Sequence, residues 1–268
     1  MSTSQPALFP IMIKVWAGKE KYDLRYIRRS LPSLLNSGLP AEARVIFVND
    51  VSPNPLIAPY LDDLARKYPN VEIWTNPERL GPNKGQEYNF AKLVERFPDA
   101  PYFVNCDDDI IYHTGWLQRL IHTYREATET GLRGVFTAIN VPIRPSTGSV
   151  QLPTTEVLLK ERQFALNWFI PRDVYDQVGP FVDAGIAYDT EYCRRLAAKN
   201  LPVICMKPSY VQNIGYHGAY QDGELYTAKD YVGRRDLYLR SRDVWYFAKR
   251  RFMTVARAIK HTLLPATA

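Results

Sequence analysis

The chain has 268 residues, 46% hydrophobic and 23% charged, with a formal net charge of +6. That length supports a sizeable core in one large domain or two closely merged ones, and the composition is that of an ordinary soluble globular protein. No apolar run approaches the ~20 residues that cross a bilayer, no basic-then-apolar leader opens the chain, and three cysteines without a Cys-x-x-Cys pair argue against a disulfide framework or structural zinc, so a reducing cytoplasm is expected.

The first half alternates strand-like and helix-like patterns. Ile11-Met12-Ile13-Lys14-Val15-Trp16 is a short apolar run, and Tyr26, Ile27, Leu31, Leu34 and Leu35 have helical spacing up to Gly38. Residues 44–48 form the next strand, closed by Asn49-Asp50-Val51-Ser52-Pro53. A helix is predicted over 56–68, a strand over 71–74, a helix over 88–97 and a strand over 102–104. Strands separated by helices of ~10–15 residues indicate βαβ units and a mostly parallel sheet.

The triplet Asp107-Asp108-Asp109 follows the fourth strand and precedes Ile110-Ile111. Adjacent carboxylates repel one another, and a hard divalent cation with oxygen ligands is the usual compensation. A strand ending in acids places such a cation at the carboxyl edge of the sheet, where open α/β folds bind nucleotides. A solvated acidic turn is the other reading. In an extended segment Asp107 and Asp109 point the same way and Asp108 the opposite way, unless the turn has begun.

Beyond the triplet, a helix is predicted over 114–128 and a strand over 134–139, and residues 141–155 read as a loop. A strand over 164–170, helices over 172–178 and 189–198, and a strand over 203–206 follow. From Lys229 onward ten Lys/Arg face three Asp, and apolar residues from Val244 to Leu263 recur at helical spacing. A basic amphipathic tail on a nearly neutral body meets something anionic, a membrane surface or a nucleic acid, or it docks on its own domain or at a dimer contact.

The order of segments resembles the GT-A fold glycosyltransferases, particularly the inverting family-two type. Val48-Asn49-Asp50-Val51-Ser52 is similar to that family's Asp-Asp-x-Ser, with Asn in place of the first Asp. The loop from Asn76 through Gly81 and Asn83 to Asn89 matches its Asn…Gly…Asn, and the triplet its Asp-x-Asp. Val178-Gly179-Pro180-Phe181 resembles Val-Gly-Gly-Phe, and Tyr188-Asp189-Thr190-Glu191 followed by Arg194 resembles Glu-Asp-x-Asp with Arg, Tyr188 replacing the Glu. His217 matches a late histidine that some members use as a metal ligand. The resemblance covers roughly residues 10–220.

The resemblance implies an α/β, Rossmann-like GT-A fold with a mostly parallel central sheet flanked by helices and a basic helical extension. The domain spans residues 1–225, with a nucleotide-binding half to about 112 and an acceptor half over 113–225, and the tail spans 226–268. It implies Mn²⁺ or Mg²⁺ on Asp107, Asp109 and His217, and a nucleotide sugar at Asn49, Asp50, Lys84, Asp107 and Asp108. Asp50 would accept a hydrogen bond from a base edge such as uracil N3–H, or it makes an Asx turn. Lys84, in a glycine-flanked loop, would meet the diphosphate as a point charge, with Arg79 a second candidate. Asp189 would be the general base of a single in-line displacement, kept ionised by a helix N-terminus, or a plain helix cap. Trp168, Tyr188, Tyr216 and Tyr220 are candidates for an aromatic wall.

The expected reaction moves a sugar from a nucleotide donor, a uridine donor first, to a hydroxyl. The acceptor is open among a lipid-linked glycan, a polysaccharide, a protein and a modified nucleic acid. The expected location is the cytoplasm, with the inner membrane surface as a second station, and a homodimer stays open. A sugar nucleotidyltransferase and a non-catalytic binding module are the alternatives.

Overall fold

The central strand β1 (Phe9–Val15) buries every residue except the half-buried Lys14. Burial on both faces, not alternation, is what a parallel strand covered by helices requires. The computed structural model describes residues 7–18, 21–215 and 226–233. The N-terminal half runs β1, α1 (Lys21–Leu35), β2 (Ala43–Asn49), α2 (Ile57–Lys67), β3 (Val71–Thr75), α3 (Pro82–Arg96) and β4 (Tyr102–Cys106). The rest runs β5 (Ile110–Tyr112), α4 (Trp116–Glu129), β6 (Val135–Thr137), β7 (Gly148–Gln151), β8 (Glu156–Lys160), β9 (Asn167–Pro171), α5 (Arg172–Val178), α6 (Tyr188–Ala197), β10 (Val203–Lys207) and β11 (Val211–Asn213).

Nine strands form one sheet in the order β3-β2-β1-β4-β9-β6-β10-β8-β7, and β5 pairs with β11 in a separate ribbon. The four strands of the N-terminal half are parallel, while β9 runs antiparallel to both β4 and β6. The fold class is the expected α/β one, with a mixed sheet. The chain winds outward from β1 through β2 to β3, then returns to β1's other side as β4. That reversal is a topological switch point, and the crevice beyond the carboxyl ends of β1 and β4 is where such sheets bind ligands. In register, Val15 pairs with Asn49 and Ile13 with Cys106, so Trp16, Asp50 and Asp107 leave the sheet at the same edge.

An aromatic cluster holds the elements that wall this crevice. Phe90 on α3 meets Phe181 at 4.7 Å, Phe181 stacks on Tyr192 of α6 at 4.4 Å, and Tyr192 meets Trp168 of β9 at 5.8 Å. Such pairs add about 0.5–1.5 kcal/mol each beyond area burial, so the cluster fixes α3 and α6 firmly against the sheet. Trp168 is fully buried in it and is core, not the sugar-facing wall its aromatic character suggested.

Three local expectations differ from the structure. Residues 82–87, read as loop, are the first turns of α3: Gly81 turns the chain at φ +73° and Pro82 starts the helix. Proline at that position loses nothing, because the amide it lacks has no partner in the first turn. Residues 148–151, inside the expected loop 141–155, form β7 of a hairpin with β8. Finally, β5 and β11 are strands of only three residues each, too short to carry a period. His217, Tyr216 and Tyr220 lie outside the described residues, as does the tail beyond 233.

Candidate active site

A cavity of about 550 Å³ opens at the carboxyl edge of the sheet, within the ordinary range for a small-molecule site. Asp50, Asp107, Asp108, Asp109 and Asp189 all line it, although up to 139 residues separate them in sequence. Lys14, Trp16 and Arg79 line it too.

The triplet reaches the cavity because the turn begins at Asp108, between β4 and β5. The Asp107 amide donates to the Leu166 carbonyl at 3.0 Å, continuing the β4–β9 pairing by one residue. Asp108 accepts from the Trp16 amide at 3.1 Å. Asp109 is held from the β11 side: Asn213 Nδ2 donates to its carboxylate at 3.1 Å, and the Ile214 amide donates to its carbonyl at 2.8 Å. Gly215 packs flush against that carboxylate, where any Cβ would overlap it.

Burial dominates the charge behaviour of these acids. Asp107 is pushed well above the ordinary carboxylate range by burial and then by Asp109, with Lys14 opposing. Asp109 is raised to about 6 by burial, with the Asn213 hydrogen bond opposing. Lys14 falls to about 8, because burial outweighs its attraction to Asp107, Asp50 and Asp108. Its ammonium donates to the Pro82 carbonyl at 2.9 Å and lies 4.6 Å from the Tyr188 ring centroid.

Five carboxylates therefore line the cavity against Lys14, Arg79 and Arg144, an excess of negative charge that a hard divalent cation would balance. Among the described residues no three His, Cys, Asp or Glu side chains converge as a complete metal cage. Mg²⁺-type sites are commonly built from one or two carboxylates plus substrate phosphates, so Asp107 and the braced Asp109 fit a metal shared with a diphosphate. All-oxygen donors suit Mg²⁺ and Mn²⁺ equally well.

Asp50 also lines the cavity, but its carboxylate already organises the loop before α3. It accepts from Asn76 Nδ2 at 2.7 Å, from the Leu80 amide at 2.9 Å and from the Gly81 amide at 2.8 Å. Asn49 caps its own turn by accepting from the Ser52 amide at 3.0 Å, and its side chain is not among those lining the cavity. Lys84 stands on the outer side of α3's first turn, exposed and paired with Glu78 at 3.2 Å, and does not line the cavity. The helical start that replaced the expected loop is what turns it away. Arg79 is the cation that this loop delivers, 4.2 Å over the Trp16 ring.

Asp189 sits in the first turn of α6, with the helix dipole favouring its charge. Asn83 of α3 fixes that turn: its Nδ2 donates to the Ile186 carbonyl at 2.8 Å and its Oδ1 accepts from the Tyr188 amide at 3.1 Å. The Thr190 amide donates to Asp189 Oδ1 at 2.6 Å. Burial still raises the Asp189 carboxyl above its usual value, against the pull of the Thr190 bonds and Arg162. Glu191 and Arg195 pair with each other at 2.7 Å on the α6 surface.

A match to the sequence model of the family described as glycosyl transferase family 2 runs over residues 20–182, more than half of the chain. The chain belongs to this family. No curated protein matches it in sequence. Among solved structures, a similar fold occurs in S. aureus TarS 1-349, at a TM-score of 0.52 and 15% identity, over 76% of this chain and 59% of that one. GalNAc-T7 with UDP, GalNAc and Mn²⁺ superposes at 0.57 with 13% identity, over 85% of this chain and 45% of that one. The mannosyltransferase PcManGT from Pyrobaculum calidifontis, in complex with GDP-Man and Mn²⁺, gives 0.53 with 14% identity, over 75% and 58%. The chain thus spans about half the length of these structures.

Lys14, Asn213 and Gly215 escape a reading of the sequence motifs. Lys14 left a signal, since a lysine inside an otherwise apolar strand must find compensation when buried. Asn213 and Gly215 left none, because only the β5–β11 pairing brings them to Asp109.

Proposed function

We propose that this family 2 chain is a metal-dependent, inverting glycosyltransferase that moves a sugar from a nucleotide sugar, a uridine diphosphate sugar first, to an acceptor hydroxyl. One observation carries the reading: Asp107, Asp109 and Asp189 line a single cavity at the switch point of the sheet. Asp107 and Asp109 would hold Mn²⁺ or Mg²⁺, with His217 as a further ligand. A bound cation of this kind neutralises negative charge on a leaving nucleoside diphosphate.

The chain's own residues supply the rest. Asp50 holds the loop that carries Arg79, and its remaining lone pairs are offered to the base edge. Lys14 supplies a resident positive charge beside the acids, where the diphosphate would lie. Asp189 takes the proton from the acceptor hydroxyl as that oxygen bonds to the anomeric carbon and the diphosphate leaves from the opposite face, a geometry that inverts the configuration. Burial raises its proton affinity, and with it its strength as a base.

The 1–225 and 226–268 division, the cytoplasmic location and the anionic partner of the basic tail belong to the same proposal. Among the described residues no helix is long and apolar enough to cross a membrane. The decisive experiment incubates the full chain with UDP- and GDP-sugars and Mn²⁺ or Mg²⁺, following nucleoside diphosphate release and the anomeric configuration of the product. Metal-stimulated release with an inverted product supports the proposal. Pyrophosphate release from a sugar phosphate and a nucleoside triphosphate would favour a nucleotidyltransferase instead.

A further inference from the structure

We propose that the acceptor bound beside Asp189 carries an oxyanion, a phosphate or a carboxylate, that Arg144 and Arg162 hold. The inference rests on the reading of Asp189 as the base and adds the chemical class of what it deprotonates. Asp189 lines both the main cavity and a small recess next to it, and that recess is bounded by Arg144, Arg162, Phe164 and Thr190.

The two arginines are prepared in different ways. The Arg144 guanidinium lies 4.6 Å over the Phe164 ring, and Phe164 packs on Tyr226 at 4.2 Å, so an aromatic pair supports it. Stacking occupies the face of a guanidinium and leaves its edge, with its N–H donors, for planar oxyanions. Arg162 donates to Thr190 Oγ at 2.9 Å, directly after the proposed base. Among the described residues neither guanidinium has a carboxylate within ion-pair distance.

The cavity is electrically lopsided as a result. Near the triplet, acids exceed bases, which suits a cation with a diphosphate. Around Asp189, two guanidiniums face one carboxylate, which must stay unpaired to accept a proton. A neutral acceptor offers the half-buried Arg144 and the exposed Arg162 no ionic partner, whereas an anionic acceptor pairs them and still meets net attraction despite Asp189. Arg-to-oxyanion bonds are charge-assisted and bidentate, which gives orientation as well as affinity.

The test uses three probes that share one ring: glucose 6-phosphate, glucuronate and glucose, bound to the full chain loaded with UDP and Mg²⁺ and followed by ligand-observed NMR. UDP fills the donor site, so a phosphate is read only in the remaining space. At least one anionic probe is expected to bind about tenfold more tightly than glucose, the scale of one charge-assisted pair. Preference for glucose 6-phosphate alone assigns a phosphate source, and preference for glucuronate a carboxylate source. Arg144→Gln and Arg162→Gln, with unchanged melting temperature, should each shrink the difference severalfold. Equal binding of all three probes overturns the inference while leaving the transferase reading intact. Variants that lose UDP binding instead would assign the arginines to the donor and overturn it too. Failure of every nucleoside diphosphate to bind would sink the transferase reading and this inference with it.

Discussion

Gly215 lies so close to Asp109 that a single added carbon would overlap the carboxylate. The contact joins a glycine two residues past β11 to the last acid of the triplet, and Asn213, the last residue of β11, grips the same side chain. Asp109 is therefore aimed by its neighbours and not by its own turn alone.

Gly215→Ala should displace the Asp109 carboxylate. Supporting contacts of this kind change metal affinity by about 10–100-fold. The expected outcome is a loss of that order in Mn²⁺-dependent UDP binding, with metal-independent binding little changed, read by calorimetric titration at several Mn²⁺ concentrations. Unaltered metal dependence would remove Asp109 from the metal site.

Asp189→Asn keeps an oxygen for the Thr190 amide but cannot accept a proton. Turnover should fall by about 10²–10⁴-fold, the usual contribution of a positioned base, while UDP binding stays near wild type. Rates and dissociation constants measured on one preparation check both halves. Loss of nucleotide binding would move Asp189 out of the base role.

The pH profile should carry the mark of Asp189. Its carboxyl is raised by burial, so it holds its proton to a higher pH than the ordinary ~3.9 of an aspartate. The acid limb of kcat/KM is expected above that value, and the folded state binds this proton more tightly than the unfolded chain. The ionised form consequently costs stability at pH above the folded pKa and nothing below the unfolded one. Asp189→Asn should melt at a higher temperature than wild type at pH 7, with the gain vanishing as the pH falls below ordinary carboxylate values.

Asp50→Ala removes the acceptor for Asn76 and for the Leu80 and Gly81 amides. Leaving buried donors without a partner costs about 1–3 kcal/mol each, so a clear drop in the urea midpoint is expected. The same variant should bind uridine, guanosine and cytidine diphosphates with less discrimination than wild type. A destabilised protein with an unchanged nucleotide preference would confine Asp50 to holding its loop.

Chain order and local pattern carried much of this molecule. The apolar runs around Ile11, Val45 and Phe103 can be buried only between covering layers, so an α/β sheet with acids at its carboxyl ends followed from the sequence. Asp50, the triplet and Asp189 were legible because strand ends and helix starts are local events. Lys84 was misplaced because proline and glycine serve equally in a loop and in the first turn of a helix. Only the folded context around Gly81 and Asp50 separates those two uses. Trp168 read as a binding surface because sequence gives an aromatic its size but not the side it faces. The brace on Asp109, the burial of Lys14 among acids and the gathering of Arg144, Arg162 and Asp189 were decided by tertiary structure alone. Each joins residues from distant segments, and such contacts depend on strand order and pairing register, which no local periodicity encodes.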